Sequence, residues 1–259
     1  MNFSGKAAPL DPTSLDDAVK LLGVDAASLW SVISVETSGV GFLPDNRPKI
    51  LFERHVFSGQ TGHRFDSDHP DISNRNPGGY GNSGAEEYAR LEKAMALDQH
   101  AALMSASWGM GQIMGFNFQA AGFGSVEEMV AAMTASEGNQ LTAMARFMNK
   151  PEFVSPLKQK NWAKFAEKYN GPGYAKNHYD ERLEKFYEKY SKGLPDLSVR
   201  AVQILLVRLG FNPGPIDGEA GNRTISAINS YLSGEGQPPV SSVSTEILSL
   251  LEKRAGQIS

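Results

Sequence analysis

Apolar residues at helical spacing mark a helix in the segment 29–42, which reads LWSVISVETSGVGF. Leu29, Val32 and Ile33 share one face of that helix because they lie three or four residues apart. The next position on the same face is Glu36, and Gly39 is expected to end the helix soon after it. A carboxylate that faces inward needs either a partner or a chemical role.

The same pattern predicts that most of the chain is helical. Thr13 or Ser14 is expected to cap a first helix that ends at Gly23, and Asp25 to cap the helix that contains Glu36. Further helices are predicted over 85–106, 126–135, 138–148, 158–169 and 176–192. Between residues 42 and 84, PDNRPKILFERHVF predicts a short pair of strands and DSDHPDISNRNPGGYGNSG predicts turns and a loop. The predicted fold class is mainly α with a small β insert.

The segment SKGLPDLS has the glycine and proline of a connector, which predicts a domain boundary near residues 193–196. The predicted domains are therefore 1–193 and 194–259. The second domain contains an apolar helical stripe from Val199 to Leu209, a loop rich in glycine and proline, and helices over 225–232 and 243–251, which makes a small three-helix domain. A chain ended near Leu194 is expected to fold, because the core of the first domain is already large.

Composition narrows the functional classes. The chain has 259 residues, is 41% hydrophobic and has a formal net charge of −4, so a nucleic-acid partner held through phosphate contacts is not expected. No window reaches the roughly 18 apolar residues of a membrane span, and MNFSGKAAPLDPTSLDD lacks the apolar core of a signal peptide, so no membrane insertion is expected. The absence of cysteine points to a chain folded in a cytoplasm. The histidines lack metal-ligand spacing, so we expect neither a metal nor another cofactor.

Glu36 has two explanations. The negative end of the helix and the inward position both raise the pKa of its carboxyl group. A carboxyl group that keeps its proton near neutral pH can act as a general acid toward the leaving oxygen of a glycosidic bond. The structural alternative is a buried carboxylate that is neutralised by Arg47, Lys49 or Arg54. Position alone leaves both explanations open.

Two segments that contain glycine add to the pattern. ASWGMGQIMG, at 106–115, breaks a helical run with Gly109 and Gly111, so the backbone can approach a ligand closely and Gln112 lies in a tight turn. KYNGPGY, at 168–174, ends a helix with an Asn-Gly-Pro-Gly turn. Taken singly, the first segment is equally well explained as a helix–helix turn and the second as a helix C-cap.

In this order, the ETSG that ends a helix, SWGMGQI and YNGPGY resemble the three signatures of the lysozyme superfamily, especially goose-type lysozymes and soluble lytic transglycosylases. RPKILFERHVF, ASWGMGQIMGFNF and WAKFAEKYNGPGYAKNHYDERL resemble more closely the N-acetylmuramidase domain of modular bacteriophage endolysins, over nearly all of residues 10–190. The resemblance implies a lysozyme-like helical domain with Glu36 as the general acid. It also implies that the sugar cleft is lined by Ser107, Gly109, Gln112, Tyr169 and Asn170.

A second carboxylate is harder to assign. Glycosidases usually have one, as a nucleophile roughly 5 Å from the acid or as a base roughly 6.5–9.5 Å away. Glu53 is the candidate because ILFERHVF places it in the strand region after the helix of Glu36. Pairing with Arg54 or orientation of His55 explains Glu53 equally well. Goose-type relatives manage without a clear carboxylate nucleophile, so the water could instead be positioned by Asp45, Asp66, Asp68 or Asp71.

The segment VRAVQILLVRLGFNPGPIDGEAGNRTISAINSYL resembles the three-helix peptidoglycan-binding domain found beside many wall hydrolases. The resemblance implies a wall-binding role for Asp217, Gly218, Gly221 and Thr224. A purely structural role is the alternative, since the two glycines permit a tight loop and the other two side chains can bond its backbone and cap the next helix. The sequence departs from the family pattern at NSYLSGEG, where an aromatic-Gln pair is usual.

Together these features favour a phage endolysin that hydrolyses the β-1,4 bond between N-acetylmuramic acid and N-acetylglucosamine in bacterial peptidoglycan, with a tail that holds it on the wall. Such a protein is expected to be a monomer and to wait in the host cytoplasm until it is released to the periplasm and cell wall. A lytic transglycosylase, which forms 1,6-anhydro products without water, is one alternative. An inactive wall-binding protein is another, although the retained glutamate and both turn segments argue against it.

Overall fold

The computed structural model describes residues 2–81 and 84–256. In this part of the chain the helices are α1 Pro12–Leu22, α2 Ala26–Thr37, α3 Arg54–Gln60, α4 Ala85–Leu97, α5 Gln99–Met104, α6 Val126–Ala135, α7 Glu137–Met148, α8 Pro151–Lys158, α9 Trp162–Asn170, α10 Tyr179–Tyr190, α11 Leu197–Arg208, α12 Asn222–Gly234 and α13 Thr245–Ala255. The strands are β1 Ile50–Phe52, β2 Ala106–Trp108 and β3 Ile113–Met114, which form an antiparallel sheet in that order. The predicted class, a mainly helical lysozyme-like fold with a small β insert, is confirmed.

Helix α2 is the central helix of the first part of the chain. Every residue from Ala27 to Val35 is buried, because the helix is surrounded by protein on all sides. Asp25 caps it as predicted, and its carboxylate accepts a hydrogen bond from the Ser28 amide at 2.7 Å. Helix α10 packs along α2, which therefore has little freedom to move. The helix ends at Thr37, so Glu36 lies in its last turn.

Three predicted elements differ from the structure. Asp11 caps α1, instead of Thr13 or Ser14, because Pro12 already occupies the first helical position. The predicted strand pair within 44–57 is wrong, since β1 pairs with the distant β2 and residues 54–60 are helical. The helix predicted over 85–106 is interrupted at Asp98, whose side chain accepts a bond from the Ala101 amide at 3.0 Å and starts a new helix.

The sheet presents one of its faces to the end of α2. Leu51 in β1 lies opposite Ser107 in β2, and Ser107 lies opposite Met114 in β3, so these three side chains share a face. Trp108 points the other way and is fully buried, with its indole N–H donating to the Leu103 carbonyl at 3.1 Å. The buried Trp108 anchors the turn that joins β2 to β3.

Helices α11 to α13 enclose an apolar cluster that is separate from the larger one around α2. Its fully or nearly fully buried members include Val202, Leu205, Leu206, Ile228, Leu232 and Leu251. Helix α11 also contacts the first part of the chain, because the Arg208 guanidinium donates to the Ala7 carbonyl at 2.5 Å. The division into domains at residue 193 stays a prediction.

Among the described residues, no single helix is long and apolar enough to cross a bilayer, and α1 with α2 satisfies the criterion only as a pair that is bent by 106°.

Candidate active site

Glu36 lies, half-buried, in a cleft of about 360 Å³ beside the end of α2. The other residues lining the cleft come from the end of α2, β1, the loop before α4 and the β2–β3 turn. They are Thr37, Ser38, Leu43, Lys49, Ile50, Leu51, Gly84 and Gln112. The cleft therefore runs between the helix that carries Glu36 and the face of the small sheet that carries Leu51.

The carboxyl group of Glu36 has the electrostatics of a proton donor. Burial raises its pKa from the ordinary 4.5 to about 8, against the opposing effects of the Arg182 charge and a hydrogen bond with Asn170. The Tyr179 hydroxyl donates to Glu36 Oε1 from α10. Glu36 is therefore largely protonated at neutral pH and has partners ready to stabilise the carboxylate that remains after proton transfer.

Cations cap the carbonyl end of α2. Lys49 Nζ donates to the Thr37 carbonyl at 2.7 Å, and Arg182 Nη2 donates to the Val35 carbonyl at 2.9 Å. These bonds compensate the negative potential of the helix end, so burial is the main cause of the raised pKa of Glu36. Arg47 pairs with Asp45 at 2.7 Å. Arg47 and Lys49, two of the three cations predicted as ion-pair partners of Glu36, therefore bind other groups.

The third cation, Arg54, turns away from the cleft. Its side chain donates to the carbonyl groups of Asn76 and Pro70, at 3.1 and 3.5 Å. The hydrogen bonds of Arg47, Lys49 and Arg54 in the described residues therefore go to groups other than Glu36. This arrangement favours the general acid over the neutralised ion pair.

The β2–β3 turn presents Gln112 to the cleft. Ser107 Oγ donates to Gln112 Oε1 at 2.8 Å, while Gln112 Nε2 donates to the carbonyl groups of Lys49 and Gly109 at 3.2 and 2.9 Å. Gly109 has a φ of 67°, and a Cβ there would lie 2.7 Å from Gln140 Cδ, so only glycine fits. The segment is thus a tight β-hairpin, and the helix–helix turn considered from the sequence is wrong.

Tyr169 and Asn170 lie beside Glu36 and the hairpin, although neither of them lines the cleft itself. The Tyr169 hydroxyl donates to the Gly111 carbonyl at 2.8 Å, which ties α9 to the hairpin. Burial and the nearby Glu36 charge both raise the pKa of Tyr169. Asn170, the exposed last residue of α9, hydrogen-bonds to Glu36. The structure therefore brings Glu36, Gln112, Tyr169 and Asn170 together from three distant parts of the sequence.

A family model described as N-acetylmuramidase matches residues 25–191, which include every residue of this cleft. The chain belongs to the N-acetylmuramidase family. Membership makes it a peptidoglycan hydrolase. Among solved structures, it is similar to the crystal structure of Burkholderia AP3 phage endolysin, with 42% sequence identity and a TM-score of 0.64 over 70% of this chain and 72% of that one. No curated protein matches the chain.

In this muramidase Glu53 lies directly after β1, at the cap position of α3. The Tyr80 hydroxyl donates to both of its carboxylate oxygens, at 3.0 and 2.9 Å, and His55 Nδ1 lies 3.2 Å from Oε2. Leu51 lines the cleft, and Glu53, two residues further along an extended chain, points to the same side. Glu53 therefore contacts His55, one of its two predicted partners, and is not among the residues that line the cleft around Glu36.

The aspartates considered as alternatives have other contacts. Asp66 accepts bonds from the hydroxyls of Ser58 and Ser73, at 3.0 and 2.6 Å, which hold the loop after α3. Asp71 pairs with Lys93 at 3.3 Å. Asp45 pairs with Arg47 and Asp68 is exposed. Within the described ranges, no three histidine, aspartate or glutamate side chains are placed to hold a metal ion.

The predicted wall-binding residues of the tail form a compact network around Gln203. The Gln203 amide donates to Asp217 Oδ1 at 3.0 Å and to Thr224 Oγ1 at 3.1 Å, and its oxygen accepts the Gly218 amide at 2.9 Å. Thr224 is buried and also donates to the Pro213 carbonyl at 3.2 Å. Gly221 is the cap residue of α12. These contacts give the motif the structural role that was weighed as the alternative to wall binding.

Tyr179 and Arg182 contact Glu36 and the end of α2, and neither of them was predicted from the sequence as a site residue. They lie three residues apart on α10, so both face the end of α2. Both residues belong to the segment AKNHYDERL, at 175–183, which resembles the muramidase domain but to which the sequence assigned no catalytic or binding role. The sequence did offer one signal for them. Tyrosine and arginine lie three residues apart on the helix after YNGPGY, which places both side chains on one face of that helix.

Proposed function

We propose that this muramidase is a phage endolysin that hydrolyses the β-1,4 bond between N-acetylmuramic acid and N-acetylglucosamine, with Glu36 as the general acid. The raised pKa of Glu36, about 8 in a cleft that is open to solvent, is the observation that carries this proposal. The similarity to a phage endolysin supports the source and the setting of the activity.

The proton moves from Glu36 to the glycosidic oxygen as the bond to C1 breaks. The carboxylate that remains is stabilised by the Tyr179 hydroxyl and by the Arg182 charge. Gln112, held by its bonds to Ser107 and Gly109, and the Tyr169–Asn170 pair form the walls that orient the sugar rings. In this proposal the water that completes hydrolysis is positioned by Glu53, whose carboxylate is fixed by Tyr80.

A lytic transglycosylase remains the second candidate, because Glu36 is the one carboxylate among the described residues lining the cleft. In that reaction the 6-hydroxyl of the muramic acid attacks its own C1, so no base beside a water is needed. The two reactions differ in product: hydrolysis leaves a reducing end and transglycosylation leaves a 1,6-anhydro ring.

The proposed role of helices α11 to α13 is to hold the enzyme on peptidoglycan, which raises the local concentration of substrate. The proposal rests on the resemblance of the tail sequence, with Asp217, Gly218, Gly221 and Thr224 as its motif. The enzyme would wait in the host cytoplasm and would act on the cell wall after its release to the periplasm.

Glu36→Gln tests the assignment of the acid. The amide has nearly the same shape but cannot donate the proton, so lysis of outer-membrane-stripped cells should fall by several orders of magnitude while wall sedimentation stays unchanged. Substantial residual lysis would exclude Glu36 as the acid. Mass spectrometry of the wild-type digest then separates the reactions: reducing muropeptides that gain two mass units with borohydride support hydrolysis, and products lighter by one water support the transglycosylase.

A further inference from the structure

A buried ion pair joins the tail helix α11 to the first part of the chain. Arg200 and Glu137 have side-chain exposures of 1% and 0%, and Arg200 Nη1 and Nη2 donate to Glu137 Oε2 and Oε1 at 2.6 and 2.9 Å. Removing two charges from water is costly unless further hydrogen bonds satisfy them. The remaining bonds of this pair therefore indicate what it holds.

Three of those four bonds go to the residues 38–41, which follow the helix of Glu36 and are called here the post-helix segment. Arg200 Nε donates to the Gly39 carbonyl at 3.2 Å, and Arg200 Nη2 donates to it as well. Glu137 Oε1 accepts the Gly41 amide at 2.9 Å, and its other oxygen accepts the Leu10 amide at 2.9 Å. One ion pair thus binds the post-helix segment at both Gly39 and Gly41.

The post-helix segment separates the cleft from the tail. Ser38 lines the cleft together with Glu36, and Ser38 and Gly39 also line a second cavity, of about 270 Å³, together with Arg200. On its other side the segment is packed tightly, since a side chain at Gly41 would collide with Gln140 Oε1. A shift of the segment would therefore alter the wall of the cleft one residue away from the last turn of α2.

We propose that Arg200 is a positioning residue for Glu36: through its ion pair with Glu137, helix α11 fixes the post-helix segment and with it the last turn of α2. The inference rests on the proposed function, because it takes Glu36 as the acid. Its consequence is that the tail contributes to catalysis even on soluble fragments that are too short to be held by any wall-binding surface.

The effect acts through position and not through the charge of Arg200. The groups that face Glu36 are Tyr179 and Arg182 from α10 and Tyr169 and Asn170 from α9, while Lys49 binds the neighbouring Thr37 carbonyl. If the post-helix segment loosens, water reaches the Glu36 carboxyl and its pKa falls toward the ordinary value. Activity should then be lost at a lower pH than in the wild type, because less of the acid remains protonated.

The experiment measures kcat, KM and the pH dependence of kcat on short soluble glycan fragments. The main variant combines Arg200→Met with Glu137→Gln, which avoids an unpaired buried charge and keeps an acceptor oxygen for one of the two amides, Gly41 or Leu10, that Glu137 binds. Arg200→Lys is the conservative variant. Arg208→Met is the comparison variant, because Arg208 also lies on α11 and donates to Ala7, and its guanidinium lies 5.9 Å from the Phe42 ring without a hydrogen bond to the post-helix segment.

The proposal predicts that the double variant loses about tenfold to a hundredfold in kcat with little change in KM. The alkaline limb of its pH profile, where kcat falls as the pH rises, should move to lower pH. Arg200→Lys should recover part of the loss in kcat and part of the shift of the limb. Arg208→Met should lower the melting temperature without moving the limb. Wild-type kcat and an unmoved limb in the double variant, or in Arg200→Lys if the double variant does not fold, would overturn the positioning role. Glu36→Gln in the same assay distinguishes the two proposals. If this variant is active, Glu36 is not the general acid, whatever the Arg200 variants show.

Discussion

Replacing Glu36 with glutamine should stabilise the protein, and the gain should depend on pH. A carboxyl group with a pKa of about 8 in the folded chain and 4.5 when unfolded binds a proton more tightly in the folded state. Its contribution to stability is therefore fully present below pH 4.5 and is lost as the pH rises through 8. Glutamine stays neutral at every pH and does not lose that contribution.

The size of the effect follows from the two values. Each pH unit between them is worth 1.36 kcal/mol, so the wild type should lose about 3 kcal/mol of unfolding free energy relative to Glu36→Gln by pH 7, and up to about 5 kcal/mol by pH 8 and above. All other titrating groups are common to the two proteins, so they cancel in the difference. The loss is the stability cost of keeping an acid ready in the cleft.

The assay is urea unfolding of both proteins at pH 4.5, 6, 7 and 8.5, followed by tryptophan fluorescence. We expect the two midpoints to coincide at the lowest pH and to separate steadily as the pH rises, with the variant more stable. Midpoints that keep a constant separation across this range would refute the raised pKa of Glu36, and with it the observation on which the general acid rests.

Three further predictions concern the walls of the cleft. Arg182→Met removes the positive charge that lowers the pKa of Glu36, so the alkaline limb of kcat should move up by about one pH unit in assays on soluble fragments. Gly109→Ala should cost about 2–4 kcal/mol in urea unfolding, whereas Gly210→Ala, which also has a positive φ but no neighbour within 4 Å, should cost about 1–2 kcal/mol. Equal losses would mean that the contact with Gln140 is unimportant. Glu53→Gln should reduce hydrolysis by at least about a hundredfold, and a mild effect would exclude Glu53 as the group that positions the water.

Local signals predicted the helices around the site well. Asp25 and the residues after Glu36 mark both ends of α2, because caps are encoded within a few residues of each helix end. The sheet was not predictable in the same way, since β1 pairs with β2 across more than fifty residues and neither strand has the length for a periodic pattern. The β2–β3 hairpin depends on the positive φ of Gly109, and the need for that φ can be recognised only once the pairing of β2 with β3 is known.

The site was partly predictable for the same reason. Glu36 was found because a carboxylate interrupts an apolar stripe, which is a local feature. Arg182 and Arg200 were missed because a cation on an exposed-looking helix says nothing about where that helix packs. The prediction that a chain ended near Leu194 folds assumed a large core. The buried Glu137, which such a chain would leave without its guanidinium partner, is a reason against it.

The contacts of α11 also bear on how chimeric wall-degrading enzymes should be assembled from this chain. A junction placed at the connector, near Pro195, would discard both Arg200 and Arg208. A junction placed after Leu209 would keep both arginines with the first part of the chain, but it would divide the apolar cluster that α11 shares with α12 and α13 and so destabilise the transferred helices. Swaps at the two positions should therefore yield hybrids of very different specific activity from the same pair of parents.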